Sequence, residues 1–525
     1  MDRMREAEKR PCWIAPPPAT ILFILFALST LPAFAGDEVR IDTGVLKGVV
    51  AGETFSFKGI PYAAPPVGDL RWRAPQPPAS WQGVRVADRP GAMCMQTADP
   101  FARAAELPPQ SEDCLTLNVW TAASSRAAKL PVMVWIHGGS FSNGTGAAPV
   151  YDGSSLASHG VVVVTLNYRL GRFGFFAHPA LSRETPQGPV ANYGLLDMIA
   201  ALRWVATNIH AFGGDPANVT IFGESSGAAA VNRLMIAPPA RGLFHRAIQQ
   251  SGNGREYTPR LRERNPDGLP SAEDSGKEFA VSMGVTNDDV TALRSIPAER
   301  ILAAGNRTAV EGGPVIDGVT LAMEVAEAFE RGLEAPVPFI SGSTSLELPI
   351  PPEMMEQTLA RAVTKISAED RAAMARSYAS EAEFKRKFLS DLIFREPARF
   401  LAAAHAKNGY ATYLYRFDVL SKSMRSMLKG APHASELAYI FGTLETMRWA
   451  ADGDDATRAS EIAARWSDFA KRADPNGAGR SPAWPRYAAE SDLILDFTNN
   501  GPVVRTTPDV RELQTIAERY GRRSE

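Results

Sequence analysis

A serine lies in a glycine-rich turn near the middle of the chain, in the sequence Gly223-Glu224-Ser225-Ser226-Gly227. A turn signal, Gly213 to Pro216, and a short apolar run, Val219 to Phe222, precede it, and three alanines follow it. A Gly-x-Ser-x-Gly turn between a buried strand and a helix strains the serine backbone and projects its hydroxyl above the sheet edge. The pattern therefore predicts that Ser225 is a nucleophile, although the bare pentapeptide would indicate only a loop.

A second turn, His137-Gly138-Gly139-Ser140-Phe141, follows the nearly continuous apolar run from Leu130 to Ile136. Such a run is typical of a strand that is buried on both faces of a largely parallel sheet. Consecutive backbone N–H groups in the turn after this strand can converge on one anion. Two glycines alone indicate a tight turn, but ahead of a serine elbow they indicate half of an oxyanion hole.

A serine hydroxyl needs a base within hydrogen-bond reach and a third group that orients the base. In folds with this elbow the order along the chain is serine, acid, histidine. His245 lies close behind the elbow, and His405 lies in an alanine-rich helical pattern. His433 lies in a loop after the last clear strand pattern, and catalytic residues concentrate on such loops. We therefore expect His433 to be the base, with an ordinary surface-loop histidine as the alternative.

Two carboxylates could orient this imidazole. Glu347 follows the strand-like run Val337 to Ser341, and Asp418 directly ends the strand-like run Ala411 to Phe417. Both positions follow strands of the predicted sheet, so their placement along the chain leaves the choice between the two acids open.

Composition limits the class of partner. The 525 residues are 45% apolar and 22% charged, with a net charge of −2, which is typical of a globular protein. The sequence has no excess of basic residues of the kind that binds nucleic acid, and it has no acidic tail. We therefore expect a small, mostly uncharged partner. The sequence shows no metal-ligand spacing, phosphate loop or dinucleotide fingerprint, so it predicts no metal and no cofactor.

Residues 1–35 have the pattern of a signal peptide. Basic residues precede the apolar run Ile21 to Leu28, and Ala33-Phe34-Ala35 provides a cleavage site of the small-x-small type. The apolar run is well short of the roughly 20 residues that a spanning helix needs, which disfavours the alternative of a retained anchor. Met4 is a second candidate start. We expect an exported protein, periplasmic or secreted, with no membrane span after cleavage.

The cysteines agree with export. Cys12 would be removed with the signal peptide, which leaves Cys94 and Cys114 to form one disulfide in an oxidising compartment. Closing a loop of this length contributes about 3 kcal/mol. The alternative is a pair of buried thiols.

The rest of the chain alternates strand and helix patterns, which indicates an α/β sheet. Strands are predicted at Val161 to Leu166 and Ala247 to Gly252, and a helix at Leu195 to Ile209. No linker divides the chain. We predict a single domain over residues 36–525, with insertions at about 255–332 and a mainly helical one at 352–406.

Two segments carry a family resemblance. Phe212 to Gly227 resembles the serine signature of the type-B carboxylesterases, the group that includes the cholinesterases and the para-nitrobenzyl esterases. Glu112 to Trp120, which alternates like a strand, is similar to their second signature and supports the disulfide. The resemblance extends from about Val39 to the C-terminal region. It implies an α/β-hydrolase fold: a large, mostly parallel sheet flanked by helices, with helical cap insertions.

The resemblance also implies an assignment of the site. Gly342 to Glu347 resembles the segment of the family's acid, and His433 to Gly442 resembles that of its histidine. The implied site has Ser225, Glu347 and His433 as the triad; Gly139, Ser140 and Ser226 as oxyanion donors; and Glu224 and Ser251 as supporting residues. Ser140 replaces a glycine, which a backbone N–H donor tolerates, whereas Leu346 and Leu348 replace the family's aspartate and glycine beside the acid.

We therefore expect a serine hydrolase that cleaves small uncharged carboxylic esters through an acyl-enzyme. The loop between Cys94 and Cys114 contains no tryptophan, which disfavours a quaternary-ammonium substrate because cholinesterases place their choline-binding tryptophan there. A catalytically silent binding or adhesion protein of the same fold is one alternative, although such proteins typically lose the serine or the histidine. Hydrolysis of amide, thioester or lactone bonds is another.

Overall fold

The protein is described here from a computed structural model, which covers residues 37–97, 107–264, 268, 270–305, 312–348, 366–477 and 479–521. The predicted signal peptide, residues 1–35, lies outside the described residues, and so does the first part of the insertion predicted at 352–406.

Strands occur along the whole described chain. They are β1 Glu38–Ile41, β2 Gly44–Lys47, β3 Val49–Ala51, β4 Thr54–Pro61, β5 Val84–Val86, β6 Met93–Cys94, β7 Gln110–Ser111, β8 Thr116–Thr121, β9 Leu130–Ile136, β10 Val162–Leu166, β11 Gly214–Glu224, β12 Arg246–Gln250, β13 Phe339–Thr344, β14 Thr412–Asp418, β15 Leu493–Thr498 and β16 Gly501–Thr506.

Eleven of these strands form one sheet, in the order β16-β15-β14-β13-β12-β11-β9-β10-β8-β4-β3. The seven strands from β15 to β10 are mutually parallel, and antiparallel strands extend both edges. The chain order reverses where β9 lies between β10 and β11. In open α/β sheets, ligands bind beyond the carboxyl ends of the strands at such a switch point.

Helices cover both faces of the sheet. The α-helices are Ser154–Ser158, Gly171–Gly174, Pro179–Glu184, Tyr193–Asn208, Ser226–Ile236, Ala272–Ser282, Val290–Arg294, Ala298–Ala303, Val325–Glu330, Ala368–Ala375, Glu381–Ser390, Glu396–Lys407, Leu437–Phe441, Gly453–Arg472 and Val510–Gly521, and Asp391–Arg395 is a π-helix. None of the described helices combines the length and hydropathy needed to cross a bilayer.

The period-2 alternation of the buried strands creates two cores, one on each face of the sheet. In β9, Val132, Val134 and Ile136 belong to a core that includes residues of helix Tyr193–Asn208. Met133 and Trp135 of the same strand point to the other core, which includes residues of helix Gly453–Arg472. β9 is therefore buried on both faces, as the continuous apolar run at 130–136 predicted.

Several predicted elements are confirmed, and others need correction. The strand at Leu130–Ile136 is as predicted, and the helix predicted at Leu195 to Ile209 spans Tyr193–Asn208. The strand predicted across Glu112 to Trp120 begins only at Thr116. His433 follows the last clear strand pattern, but two strands that the sequence did not predict, β15 and β16, come later and complete one edge of the sheet.

The predicted disulfide is present: Cys94 and Cys114 are joined, 20 positions apart in sequence. Both residues are buried in the core that contains Val132 and Val134 of β9. The bridge links β6 to the loop that precedes β8.

A buried ion pair fixes the segment after β10. The Arg169 Nε and Nη2 atoms donate to the two carboxylate oxygens of Asp197 at 2.8 and 2.7 Å, and the Arg169 backbone N donates at 3.0 Å. Both side chains are almost fully buried. Asp197 belongs to helix Tyr193–Asn208, so this pair anchors the loop that carries Tyr168 to that helix.

Replacing Asp197 by alanine should therefore destabilise the protein strongly. The change leaves the Arg169 charge buried without its partner, and such losses reduce the free energy of unfolding by about 3–5 kcal/mol. Urea unfolding followed by tryptophan fluorescence measures this. The double variant Arg169→Met/Asp197→Leu removes both charges and should recover most of the loss; a single variant as stable as the wild type would contradict the account.

Candidate active site

Ser225 lies at the junction between β11 and helix Ser226–Ile236. Its φ of 56° and ψ of −126° belong to a region that residues other than glycine rarely adopt. The flanking glycines make the turn sterically feasible: a Cβ on Gly227 would lie 2.1 Å from Ile136 O, and one on Gly223 would lie 2.6 Å from the backbone of Gly227. The elbow geometry thus presents a partly exposed Ser225 at the carboxyl end of β11.

The turn after β9 passes beside this serine. A Cβ on Gly138 would lie 3.1 Å from Ser225 Cβ. Gly139, Ser140 and Phe141 all have positive φ, at 108°, 55° and 56°. This run of left-handed backbone turns the chain sharply at the switch point between β9 and β11 and directs its N–H groups away from the regular sheet pattern.

One of the local N–H groups is already used. Phe141 N donates to Ser226 Oγ at 3.2 Å, which ties the turn to the elbow helix. In the hydrogen bonds found among the described residues, the N–H groups of Gly139, Ser140 and Ser226 have no acceptor. These three groups are the donors that the resemblance assigned to an oxyanion, and their freedom is compatible with that role.

Tyr168 supports the turn, a contribution that the sequence alone did not indicate. Its ring stacks on His137 with centroids 4.4 Å apart, and its hydroxyl donates to His137 O at 2.9 Å. Burial lowers the pKa of His137 to about 4, so this histidine is neutral and structural. The sequence could not show this contact between Tyr168 and His137, because Tyr168 follows β10 whereas His137 follows β9.

Glu347 and His433 meet beyond β13. His433 Nδ1 lies 2.5 Å from Glu347 Oε2, and the His433 backbone N donates to Glu347 O at 3.0 Å. The other carboxylate oxygen accepts hydrogen bonds from Ser251 Oγ at 2.6 Å and from Thr344 N at 2.7 Å. Glu347 is completely buried, and these contacts satisfy both of its oxygens.

The competing residues lie in other arrangements. Asp418 accepts a hydrogen bond from Ser345 Oγ and pairs with Arg416. His245 Nδ1 accepts from Val219 N at 3.1 Å, so it lies at the start of β12, away from the carboxyl ends of the strands. His405 is buried between Glu334 Oε1 and Val337 O, both at 2.8 Å. In this geometry Glu347, rather than Asp418, contacts the imidazole of His433.

A second carboxylate faces the other imidazole nitrogen. His433 Nε2 lies 3.0 Å from Glu224 Oε1, and Glu224 is buried. The hydrogen bonds of the described residues include none between His433 Nε2 and Ser225 Oγ, so the structure brings the imidazole to the residue next to the serine. Hydrogen bonds between catalytic groups are often long in unliganded structures and tighten with substrate.

These contacts set the electrostatics of the site. Burial disfavours the imidazolium, but the carboxylates of Glu224 and Glu347 outweigh it and raise the pKa of His433 above its ordinary value. Burial raises the pKa of Glu224, and the nearby Glu347 charge raises it further, while His433 opposes the shift. The arrangement therefore favours a proton held between His433 and its two carboxylates.

A third glutamate, Glu436, lies in the same cluster. It is buried, and its Oε1 accepts a hydrogen bond from Gln250 Nε2 at 3.3 Å. Burial and the carboxylates of Glu224 and Glu347 raise the pKa of Glu436. The sequence gave no separate indication of Glu436 beyond its place in the segment after His433, because the residues around it come from distant strands.

Among the residues that the structure describes, no group of three or more His, Cys, Asp or Glu side chains has the geometry of a metal site.

A strained serine between a strand and a helix, at the switch point of a largely parallel sheet, defines the α/β-hydrolase fold. Solved structures share this architecture. A PNB esterase superposes with a TM-score of 0.79 at 34% identity, covering 91% of this chain and 99% of its own. A carboxylesterase of Geobacillus stearothermophilus superposes with a TM-score of 0.77 at 35% identity and with the same coverage.

Sequence comparison gives the family. Residues 35–515 match the description "Carboxylesterase family". A para-nitrobenzyl esterase of Bacillus subtilis (strain 168) is 38% identical over 87% of this chain and 94% of its own length. A fumonisin B1 esterase of Sphingopyxis macrogoltabida is 36% identical over 90% of this chain and 89% of its own. The chain therefore belongs to the carboxylesterase family, and the predicted family, fold and enzyme class are confirmed.

The pH dependence of the reaction should respond to Glu224. A base must be neutral to accept a proton, so with His433 as the expected base, activity should fall as the pH drops below its pKa. Because the Glu224 charge raises that pKa, Glu224→Gln should lower it and move the acidic limb of kcat/KM to lower pH, by about one unit. Steady-state kinetics across the pH range measure this shift.

Asp418→Asn is the matched control, since Asp418 does not contact His433, and it should leave the acidic limb in place. A limb that stays unchanged or moves to higher pH in Glu224→Gln would show that Glu224 does not stabilise the imidazolium.

Proposed function

We propose that this carboxylesterase works through a triad of Ser225, His433 and Glu347. The observation that carries the proposal is the 2.5 Å contact between His433 Nδ1 and Glu347 Oε2, with the imidazole facing the residue beside the strained serine. The Ser251 and Thr344 contacts to Glu347 support it, because they hold the carboxylate that orients the ring.

The first half-reaction transfers the acyl group to the enzyme. The reaction starts from neutral His433, whose one ring proton lies on Nδ1 and is hydrogen-bonded to Glu347. Its Nε2 leaves Glu224 and accepts the proton of Ser225 Oγ, while this oxygen bonds to the acyl carbon. The N–H groups of Gly139, Ser140 and Ser226 stabilise the oxyanion, each by about 3 kcal/mol of barrier. The tetrahedral intermediate expels the alcohol, which takes its proton from His433. Ser225 then carries the acyl group as an ester.

The second half-reaction regenerates the enzyme. A water molecule gives a proton to His433 and adds to the acyl carbon, and the same N–H groups stabilise the second oxyanion. The carboxylic acid leaves as Ser225 Oγ recovers its proton from His433. Glu347 orients the imidazole throughout, and Glu224 stabilises it whenever it is charged.

We further propose that the substrates are small uncharged esters and that the protein is exported. The names of the relatives supply the panel: para-nitrobenzyl esters and fumonisin B1, beside amide, thioester and lactone analogues. The disulfide supports export, since such bonds persist in oxidising compartments. Cleavage of a signal peptide after residue 35 is tested by amino-terminal sequencing of the exported protein, and retention of the leader on mature protein would refute it.

The triad is tested with para-nitrophenyl acetate and butyrate. Ser225→Ala and His433→Ala should lower kcat by about 10⁶-fold, and Glu347→Gln by about 10⁴-fold, with little change in KM. Wild-type enzyme should release nitrophenol in a burst where deacylation is slower than acylation.

Asp418→Asn controls for the general loss of a carboxylate in this region and should keep most of the activity. A folded wild-type protein with no activity on any ester of the panel would favour a binding protein, and an Asp418→Asn variant as inactive as Ser225→Ala would make Asp418 the acid.

A further inference from the structure

The long helical segment over residues 381–407 contains one wide turn. Residues Asp391–Arg395 form a π-helix between helix Glu381–Ser390 and helix Glu396–Lys407. A π turn adds a residue to the helical repeat, so it changes the direction of the side chains that follow, and such turns are frequent at functional sites.

Buried polar contacts hold this turn in place. Arg395 Nη1 donates to Asp391 Oδ1 at 2.6 Å across the turn and to Asp509 Oδ2 at 2.9 Å. Tyr378 OH donates to Asp391 Oδ2 at 2.8 Å. Because Asp391 and Arg395 are both buried, opening the turn would expose an ion pair and break its hydrogen bonds. The turn is therefore a rigid part of this helical segment.

Two partly exposed side chains lie between this buried pair. Ile393 packs against the small core formed around Met374 and Tyr378. Phe394 instead packs on the catalytic histidine, with ring centroids 4.8 Å apart and an interplanar angle of 43°. The π turn therefore presents an aromatic ring to the imidazole of His433.

The same helix is tied to the acid. Ser390 Oγ accepts a hydrogen bond from Leu348 N at 3.0 Å, and Leu348 directly follows Glu347. Phe394 and Glu347 thus belong to one connected unit, and each contacts His433 from a different direction.

This ring contact restrains a motion that the carboxylates allow. Glu347 holds His433 by a hydrogen bond at Nδ1, and a hydrogen bond at a ring nitrogen lies in the ring plane. Glu224 lies 3.0 Å from Nε2 at ion-pair distance without a hydrogen bond. One in-plane hydrogen bond leaves the ring free to tilt about it. The His433 side chain is 26% exposed, so solvent offers room for that tilt, and a ring packed on one face opposes it.

We propose that Phe394 is a positioning residue for His433: its ring, presented by the π turn, keeps the imidazole in the plane where Nδ1 meets Glu347. The proposal rests on the assignment of His433 as the base. Its effect is largest when Nε2 leaves Glu224 for Ser225, because only the Nδ1 contact and the Phe394 ring then orient the imidazole.

The test uses Phe394→Ala, Phe394→Leu and Phe394→Tyr with para-nitrophenyl acetate, a small ester. Phe394→Ala should lower kcat about tenfold or more with KM within about twofold, because a misplaced base slows proton transfer and leaves binding intact. Phe394→Tyr keeps the ring and should recover kcat to within about threefold of the wild type, and Phe394→Leu should fall between.

Ile393→Ala is the matched control, since it lies on the same turn with similar exposure and packs away from His433. Its kcat should stay near the wild-type value. Circular dichroism and thermal unfolding establish whether each variant is folded. If Phe394→Ala does not fold, Phe394→Leu replaces it in the test.

Three results would overturn the inference: an unchanged kcat in Phe394→Ala, an equal fall in Ile393→Ala, or a loss that appears only in KM, which would make the ring a substrate wall. These results bear on Phe394 only if Ser225→Ala and His433→Ala are inactive. Activity in those two variants would instead contradict the proposed triad itself.

Discussion

The site depends on one imidazole held between two buried carboxylates. Glu347 contacts one nitrogen of His433 and Glu224 the other, and both acids are removed from solvent. A buried carboxylate costs several kcal/mol unless charge and hydrogen bonds compensate it, so neither acid could stay in this place without its partners. For Glu347 the compensation is complete, since both of its oxygens are hydrogen-bonded. The surrounding fold therefore determines the orientation of the His433 ring as well as its position.

Parallel strand order brings these partners together. The turn with Gly139 follows β9, Ser225 follows β11, Ser251 follows β12 and Glu347 follows β13, and these four strands are adjacent in the sheet. Local strain accompanies each approach: Ser140, Ser225 and Ser251 all have positive φ. Strain of this kind costs about 1–3 kcal/mol per residue and persists only when packing overcomes it. The strands beneath are largely buried and provide that packing, which allows their ends to remain irregular.

The sequence predicted what depends on local pattern. The elbow at Ser225 combines glycines, a strand and a helix within a few residues, and the continuous apolar run of β9 is typical of a strand buried on both faces. The choice between Glu347 and Asp418 could not be made from local pattern, because the two residues lie at or just beyond the ends of neighbouring parallel strands. It depends on the path of the loop that follows each strand. The family resemblance provided this information, and strand order did not. The sequence did not predict β15 for a related reason: the strand has only six residues, and its partner β14 is distant in sequence. Three further residues contact the site from segments that are distant in sequence, so no single segment could reveal them: Tyr168, Phe394 and Glu436.

The most direct test of the central claim is covalent labelling with a fluorophosphonate ester. Attack by an activated Ser225 Oγ forms a phosphorus–oxygen bond and releases fluoride, and peptide mass spectrometry locates the adduct. We predict that the wild-type protein carries the label on Ser225, that Ser225→Ala carries none, and that His433→Ala and Glu347→Gln are labelled far more slowly. A folded wild-type protein that stays unlabelled, or one labelled at another residue, would contradict the account.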